Sequence, residues 1–219
     1  MFLRLAFIVS AFSLFLSGCA PSPVQISHDT VLDSIDFKPV DVVVLTDPEI
    51  NITTPMKALM ESGTLGIHTI FYADKLGSAA DGLKLENPSE LVARKLRTEL
   101  IDLSGMNILP MPDSLEFYDE VPASQNYTLA VGMVSNQLAY RPMAWTTYQY
   151  STAFRGELIA PNGEVLWRQT CGVASLGADK NLQIKFTKVK DKDTQRMNEI
   201  YTHVAGICAE DLANKFGQQ

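Results

Sequence analysis

The chain has 219 residues, 46% of them hydrophobic, with 18 Lys and Arg against 25 Asp and Glu and a formal net charge of −7. That length suits one sizeable domain with its own core. The acidic balance excludes partners gripped by clustered cations: nucleic acid, whose phosphates call for Lys and Arg, and anionic lipid held by charge alone.

Residues 1–18 carry one cation, Arg4, and then an apolar-to-small run from Leu5 to Leu16. About 12 such residues are too few for a transmembrane helix, which needs roughly 20, and fit the core of a signal peptide. The run ends in Leu16-Ser17-Gly18-Cys19. This tetrapeptide resembles the lipobox of Gram-negative bacterial lipoproteins. The resemblance implies cleavage after Gly18, which leaves 201 of the 219 residues, and acylation of Cys19. Each buried methylene is worth about 0.8 kcal/mol, so two or three acyl chains hold a protein on a bilayer essentially permanently. No Asp follows Cys19. That is similar to lipoproteins sorted to the outer membrane, so its periplasmic face is the expected location, with the inner membrane as the alternative. Ala20-Pro21-Ser22-Pro23 reads as a non-helical tether, because proline cannot continue a helix. The expected organisation is a signal peptide at 1–18, a lipidated tether and lead-in at 19–36, and one domain over 37–219.

Residues 40–46, Val-Asp-Val-Val-Val-Leu-Thr, predict a strand buried on both faces, stopped by Asp47-Pro48. A short helix can open at Thr54-Pro55, a second strand is expected over 67–72, and residues 77–82 read as a mobile loop. Asn87-Pro88-Ser89-Glu90 is a helix opening, with Asn as cap, Pro in the first turn and Glu near the positive end of the dipole. Leu91, Val92, Leu96, Leu100 and Leu103 form its apolar stripe, Gly105 its stop, and residues 106–109 look like the next strand. Strand, helix and strand in that order predict a crossover unit.

The second half changes period. Tyr127, Leu129, Val131 and Met133 alternate with Thr128, Ala130, Gly132 and Val134. Tyr148, Tyr150, Thr152, Phe154 and Leu158 alternate with Gln149, Ser151, Arg155 and Glu157; Val165, Trp167, Cys171 and Val173 oppose Arg168 and Thr170. Period two predicts half-exposed antiparallel strands. Pro161-Asn162-Gly163 predicts the hairpin turn between 148–160 and 164–175, since Asn and Gly tolerate positive φ. Residues 188–194 read as a charged turn, with Asp193 or Thr194 as cap for a last helix. Along that helix Met197, Ile200, Tyr201, Val204, Ile207, Cys208, Leu212 and Phe216 recur at helical spacing. The expected fold is α+β. Its mixed sheet has a strand–helix–strand N-terminal half, an antiparallel C-terminal half and a packed C-terminal helix.

If lipid consumes Cys19, an even pair remains, Cys171 and Cys208. In an oxidising periplasm such a pair predicts a disulfide, here one stapling helix to sheet. No metal site is expected, because His28, His68 and His203 are scattered without ligand spacing. Nor is a cofactor: the chain has no Gly-x-Ser-x-Gly elbow, phosphate loop or dinucleotide fingerprint. Asp113, Glu116, Asp119 and Glu120 are the acids an envelope hydrolase would use, although a Pro-rich stretch of this kind usually stays solvated. Arg141-Pro142 interrupts the strand pattern and puts Tyr140, Arg141, Met143 and Trp145 in a hairpin loop or bulge. Such residues favour interfaces, and equally Trp145 can fold back to close the core. Phe117-Tyr118 carries the same two readings.

Two groups of Gram-negative lipoproteins are similar in element order. Tyr127-Thr128-Leu129-Ala130-Val131 and residues 201–212 resemble parts of the ABC-transport auxiliary lipoproteins linked to lipid trafficking. Gly163-Glu164-Val165-Leu166-Trp167 resembles a strand of lipoproteins related to the curli secretion channel. The Cys171–Cys208 pair is not part of either resemblance. The anchor, a compact domain and an aromatic loop without catalytic residues predict a non-enzymatic accessory or scaffold protein, bound to the membrane by acyl chains and docked onto a protein partner in the envelope, a transport complex among them, through a sheet edge or the Trp145 loop. An amphiphile-binding module, with its ligand between the sheet and helix 88–103, is the alternative; the envelope hydrolase is the weaker one.

Overall fold

The computed structural model describes residues 35, 37–53, 85–141, 144–174, 179–185, 187–188 and 194–218. The tetrapeptide ending at Cys19, the helix at Thr54-Pro55, the strand at 67–72, the loop at 77–82 and Asp193 lie outside them. Among the described residues, seven strands form one mixed sheet and two long helices cover one of its faces. The α+β expectation holds.

The strands are β1 (Val40–Leu45), β2 (Asn51–Thr53), β3 (Phe117–Tyr118), β4 (Tyr127–Arg141), β5 (Ala144–Ile159), β6 (Val165–Ala174) and β7 (Gln183–Lys185). Their order is β3-β1-β4-β5-β6, with β2 against β4 and β7 against β5. β1 runs parallel to both β3 and β4, and β2 runs parallel to β4. The pairs β4–β5, β5–β6 and β5–β7 are antiparallel. The helices are α1 (Pro88–Ser104) and α2 (Thr194–Gly217).

α1 begins as its sequence predicts. The Asn87 side chain accepts from the Glu90 amide at 2.8 Å, and Gly105 closes the helix at φ 69° with its amide donating to the Ile101 carbonyl. The crossover unit also exists, but its return strand is split. Residues 106–109 form only a single parallel bridge, Ile108 to Val40, and the paired strand is β3. Four residues with Pro110 and Pro112 just beyond have too few amide donors in sequence to extend a ladder.

Two apolar stripes are narrower than their periodicity suggests. α1 buries Val92, Ala93, Leu96 and Leu100, whereas Leu103 is 52% exposed. α2 buries Met197, Ile200, Tyr201, Val204, Cys208, Leu212 and Phe216, whereas Ile207 is 38% exposed. The predicted hairpin is present, and its register sets Phe154 opposite Cys171 and Leu158 opposite Trp167. At its turn only Gly163 takes positive φ, 84°. Asn162 acts through its side chain instead, whose oxygen accepts from the Glu164 amide at 3.0 Å.

The core fills the space between the helices and one sheet face, with Val40, Val44, Leu129, Val131, Tyr150, Phe154 and Trp167 facing α1 and α2 residues. The opposite face is less exposed than alternation predicts. Thr128 and Ala130 are buried, and Glu157 is only 6% exposed. Its carboxylate bridges Arg155 at 3.2 Å and Arg168 at 2.5 Å. A carboxylate so enclosed needs charged partners to replace its water, and two guanidinium groups supply them.

Candidate functional site

The predicted binding segment falls at one extremity of the sheet. β4 ends at Arg141 and β5 begins at Ala144, and Pro142 and Met143, which link them in sequence, lie outside the described residues. Tyr140 pairs with Tyr148 but Arg141 pairs with Ala144. Three residues, Trp145 to Thr147, are therefore surplus on the β5 side. This is a bulge of the kind that re-aims side chains at sheet rims. It agrees with the loop-or-bulge expectation for the backbone; the side chains of Tyr140, Arg141, Met143 and Trp145 are outside the described set.

This turn and the start of the domain stand far apart. Val40 pairs with Tyr127, the first residue of β4, while the turn follows Arg141, its last. At about 3.3 Å per residue, fourteen steps place them roughly 45 Å apart along the strand.

A second constellation escaped sequence reasoning. Asp47, just past β1, accepts from the Ser89 hydroxyl, from the Ser89 amide at 3.3 Å and from the Met133 amide. Asn136 donates to the Pro48 carbonyl at 2.9 Å and accepts from the Tyr150 hydroxyl at 3.1 Å. The Tyr150 ring packs against Tyr201, centroids 5.4 Å apart. A second β4 bulge, between Met133 and Ser135, turns Asn136 toward the cluster and leaves Val134 55% exposed.

Burial raises the Asp47 carboxyl above the usual carboxylate range, outweighing the hydrogen bonds that pull it down. Burial also pushes the Tyr150 and Tyr201 hydroxyls well above the ordinary phenol value, assisted by the nearby Asp47 charge. Both phenols thus stay protonated, and Tyr150 donates to Asn136. The carboxylate lies against the amide end of α1, where a negative charge is favoured. The cluster joins β1, α1, β4, β5 and α2, and its chemistry is that of a clasp. The sequence signal was an acid directly after a buried strand, together with a serine in the first turn of the next helix.

The other candidates separate. Asp113, Glu116, Asp119 and Glu120 all stay at the surface, and Glu116 accepts from the Tyr118 hydroxyl at 2.9 Å. The 113–120 stretch encloses no carboxylate pair. Phe117 lies on the two-residue edge strand β3, 42% exposed. His203 faces Asp179 at 3.2 Å. Asp179 is lowered by the Asn181 amide first and then by His203. Among the described residues no group of three or more His, Cys, Asp or Glu is placed to hold a metal ion. Gln149, 8% exposed on the sheet face away from the helices, has neither amide atom hydrogen-bonded.

Cys171 and Cys208 are bonded, with an S–S distance of 2.08 Å and Cα atoms 5.4 Å apart. β6 and α2 are thus stapled as expected.

No family model matches the chain, and no curated protein matches it. Among solved structures, it is similar to a Xanthomonas campestris protein assigned to the DUF330 family, with 14% identity, a TM-score of 0.32 and coverage of 84% of this chain and 88% of that one. It is also similar to a PelC dodecamer from Paraburkholderia phytofirmans, with 14% identity, a TM-score of 0.28 and coverage of 75% and 86%. Both scores are too low to establish a shared fold, and neither likeness tells what this chain does.

Proposed function

We propose that this chain is a lipid-anchored, non-enzymatic accessory protein of the bacterial envelope. It is held on the periplasmic face of the outer membrane by acyl chains on Cys19, and it docks onto a protein complex through the β4–β5 turn. One observation carries the reading: the tether joins the domain beside the first residue of β4, and the turn bearing Met143 and Trp145 follows its last. An anchored domain of this shape holds that turn roughly 45 Å from its attachment point, facing away from the bilayer. Large apolar residues and an arginine there have the composition of an interface anchor. The disulfide supports an oxidising compartment.

The amphiphile-binding alternative needs room between the sheet and α1. Val92, Ala93 and Leu96 of α1 and Leu129 and Val131 of β4 are each 0% exposed. A cavity wide enough for water would leave accessible surface on its lining, so a ligand there would have to displace packed side chains.

In-cell crosslinking of the intact protein tests the docking reading. Wild type and Cys19→Ala are compared with Trp145→Ala and Tyr140→Ala. The expected result is one set of envelope adducts that Trp145→Ala weakens at least tenfold, and that disappears with membrane retention in Cys19→Ala. Adducts unchanged by both turn substitutions would sink the docking surface, and Cys19→Ala that stays on the membrane would sink the anchor.

A further inference from the structure

We propose that the end of the domain where the tether arrives, marked by Phe37 and Leu103, rests in the headgroup region of the bilayer with the Phe37 ring inserted. The inference builds on the lipid-anchor reading and adds a contact surface to it.

Phe37 stands at φ 58°, alone among the described non-glycine residues in having a positive φ. The left-handed conformation costs an ordinary L-residue about 1–2 kcal/mol, and for a bulky aromatic it is an outlier. The surroundings enforce it. Ile35 is buried in the core, the Lys38 amide donates to the Ile35 carbonyl at 2.7 Å, and Asn107 donates to the Phe37 carbonyl at 3.2 Å. Yet the folded domain gains little from the ring so presented, since Phe37 remains 82% exposed. Strain of this kind persists only where the surrounding structure over-determines it, and such positions cluster at functional sites.

The same end gathers a second apolar side chain. Ile108 bridges to Val40, so the C-terminal turn of α1 lies beside the start of β1, and with it Leu103, 52% exposed. Gly217 of α2 abuts Leu103. Two of the large exposed hydrophobics therefore share the end at which the chain arrives from Cys19.

The length of that tether makes a bilayer the natural occupant. Sixteen residue-to-residue steps lead from Cys19 to Ile35, a reach of at most about 55 Å. A domain leashed this closely meets lipid constantly, and a protruding aromatic beside an aliphatic residue is what an interface accepts. Asp102, beside Leu103, is exposed and acidic, and the chain carries a net charge of −7, so the attraction is apolar and not electrostatic. Binding should persist in high salt and on lipids without net charge.

The test uses the full acylated chain in vesicles of phosphatidylethanolamine with phosphatidylglycerol, with brominated acyl chains as quencher. Tryptophan is introduced by Phe37→Trp, by Leu103→Trp, and by Phe117→Trp as the control. Phe117 is also exposed but pairs with Val44 at the far end of β1. The emission added by Phe37→Trp should shift to shorter wavelength and be quenched, Leu103→Trp more weakly, while Phe117→Trp stays as in detergent-free buffer. Emission at 37 as unquenched as at 117 overturns the surface, whether or not mass spectrometry finds acyl chains on Cys19. Quenching at 37 in a chain without acyl groups would keep the surface and remove the anchor, so the two ideas fail separately.

Discussion

A methyl group added at Gly156 would sit 2.9 Å from both Cη2 and Cζ3 of Trp167. That ring is 1% exposed and packs edge-on against Phe216, centroids 5.4 Å apart, so it has nowhere to retreat. Forcing extra volume into a filled core costs about 1–3 kcal/mol. Gly156→Ala should therefore lower the unfolding free energy by that amount, read as a lower denaturant midpoint at unchanged slope, and a midpoint unchanged from wild type would mean that the ring repacks freely. Periodicity alone put Trp167 on the apolar face. That Gly156 is the residue beneath it depends on the β5–β6 register, in which Gly156 faces Gln169 and Leu158 faces Trp167. Individual exposures were legible less often. Leu103 and Ile207 satisfy the helical spacing but sit at the margins of their stripes, and spacing does not say how wide a neighbour is.

At the scale of elements, α1 was readable from its ends: Asn87 caps it and Gly105 stops it through local backbone chemistry. What holds α1 against β1 was not. Asp47 and Ser89 are 42 residues apart, and only folding brings the carboxylate to the helix terminus. The clasp has a pH signature. Burial raises the folded-state pKa of Asp47 above its unfolded value, so the native state keeps its proton more readily. Stability from this group falls as pH rises from about 3.9 through the raised value and is constant above it. Asp47→Asn keeps an acceptor for the Ser89 hydroxyl but cannot titrate. Between about pH 7 and about pH 4, wild type should gain stability relative to Asp47→Asn in urea titrations. Parallel pH profiles for the two proteins would mean that the carboxyl is as solvated in the fold as out of it.

For the whole molecule, the bond between Cys171 and Cys208 closes a loop of 37 residues and fixes α2 to β6. The chain-entropy estimate for that length is about 3–4 kcal/mol. The Cys171→Ala, Cys208→Ala double variant should lose stability on that order, measured by denaturant unfolding without reductant. A loss below about 1 kcal/mol would show that apolar packing alone keeps helix on sheet. The same scale sets the proposed docking geometry, because β4 separates the start of β1 from the β4–β5 turn by its full length.

The sequence by itself determined what short-range physics governs. It settled the class of fold, the two caps of α1, the β5–β6 hairpin and the two cysteines that face each other, because periodicity, capping and turn chemistry act within a few residues. It also supplied the lipobox-like tetrapeptide that motivates the envelope proposal. Only the tertiary structure decided which strands run parallel, how far β4 extends, that the return strand is split between Ile108 and β3, and that Asp47 closes on Ser89. It also decided that Phe37 is strained and exposed where the tether arrives. Those features depend on which distant elements meet and on the space left between them, and no local pattern encodes either.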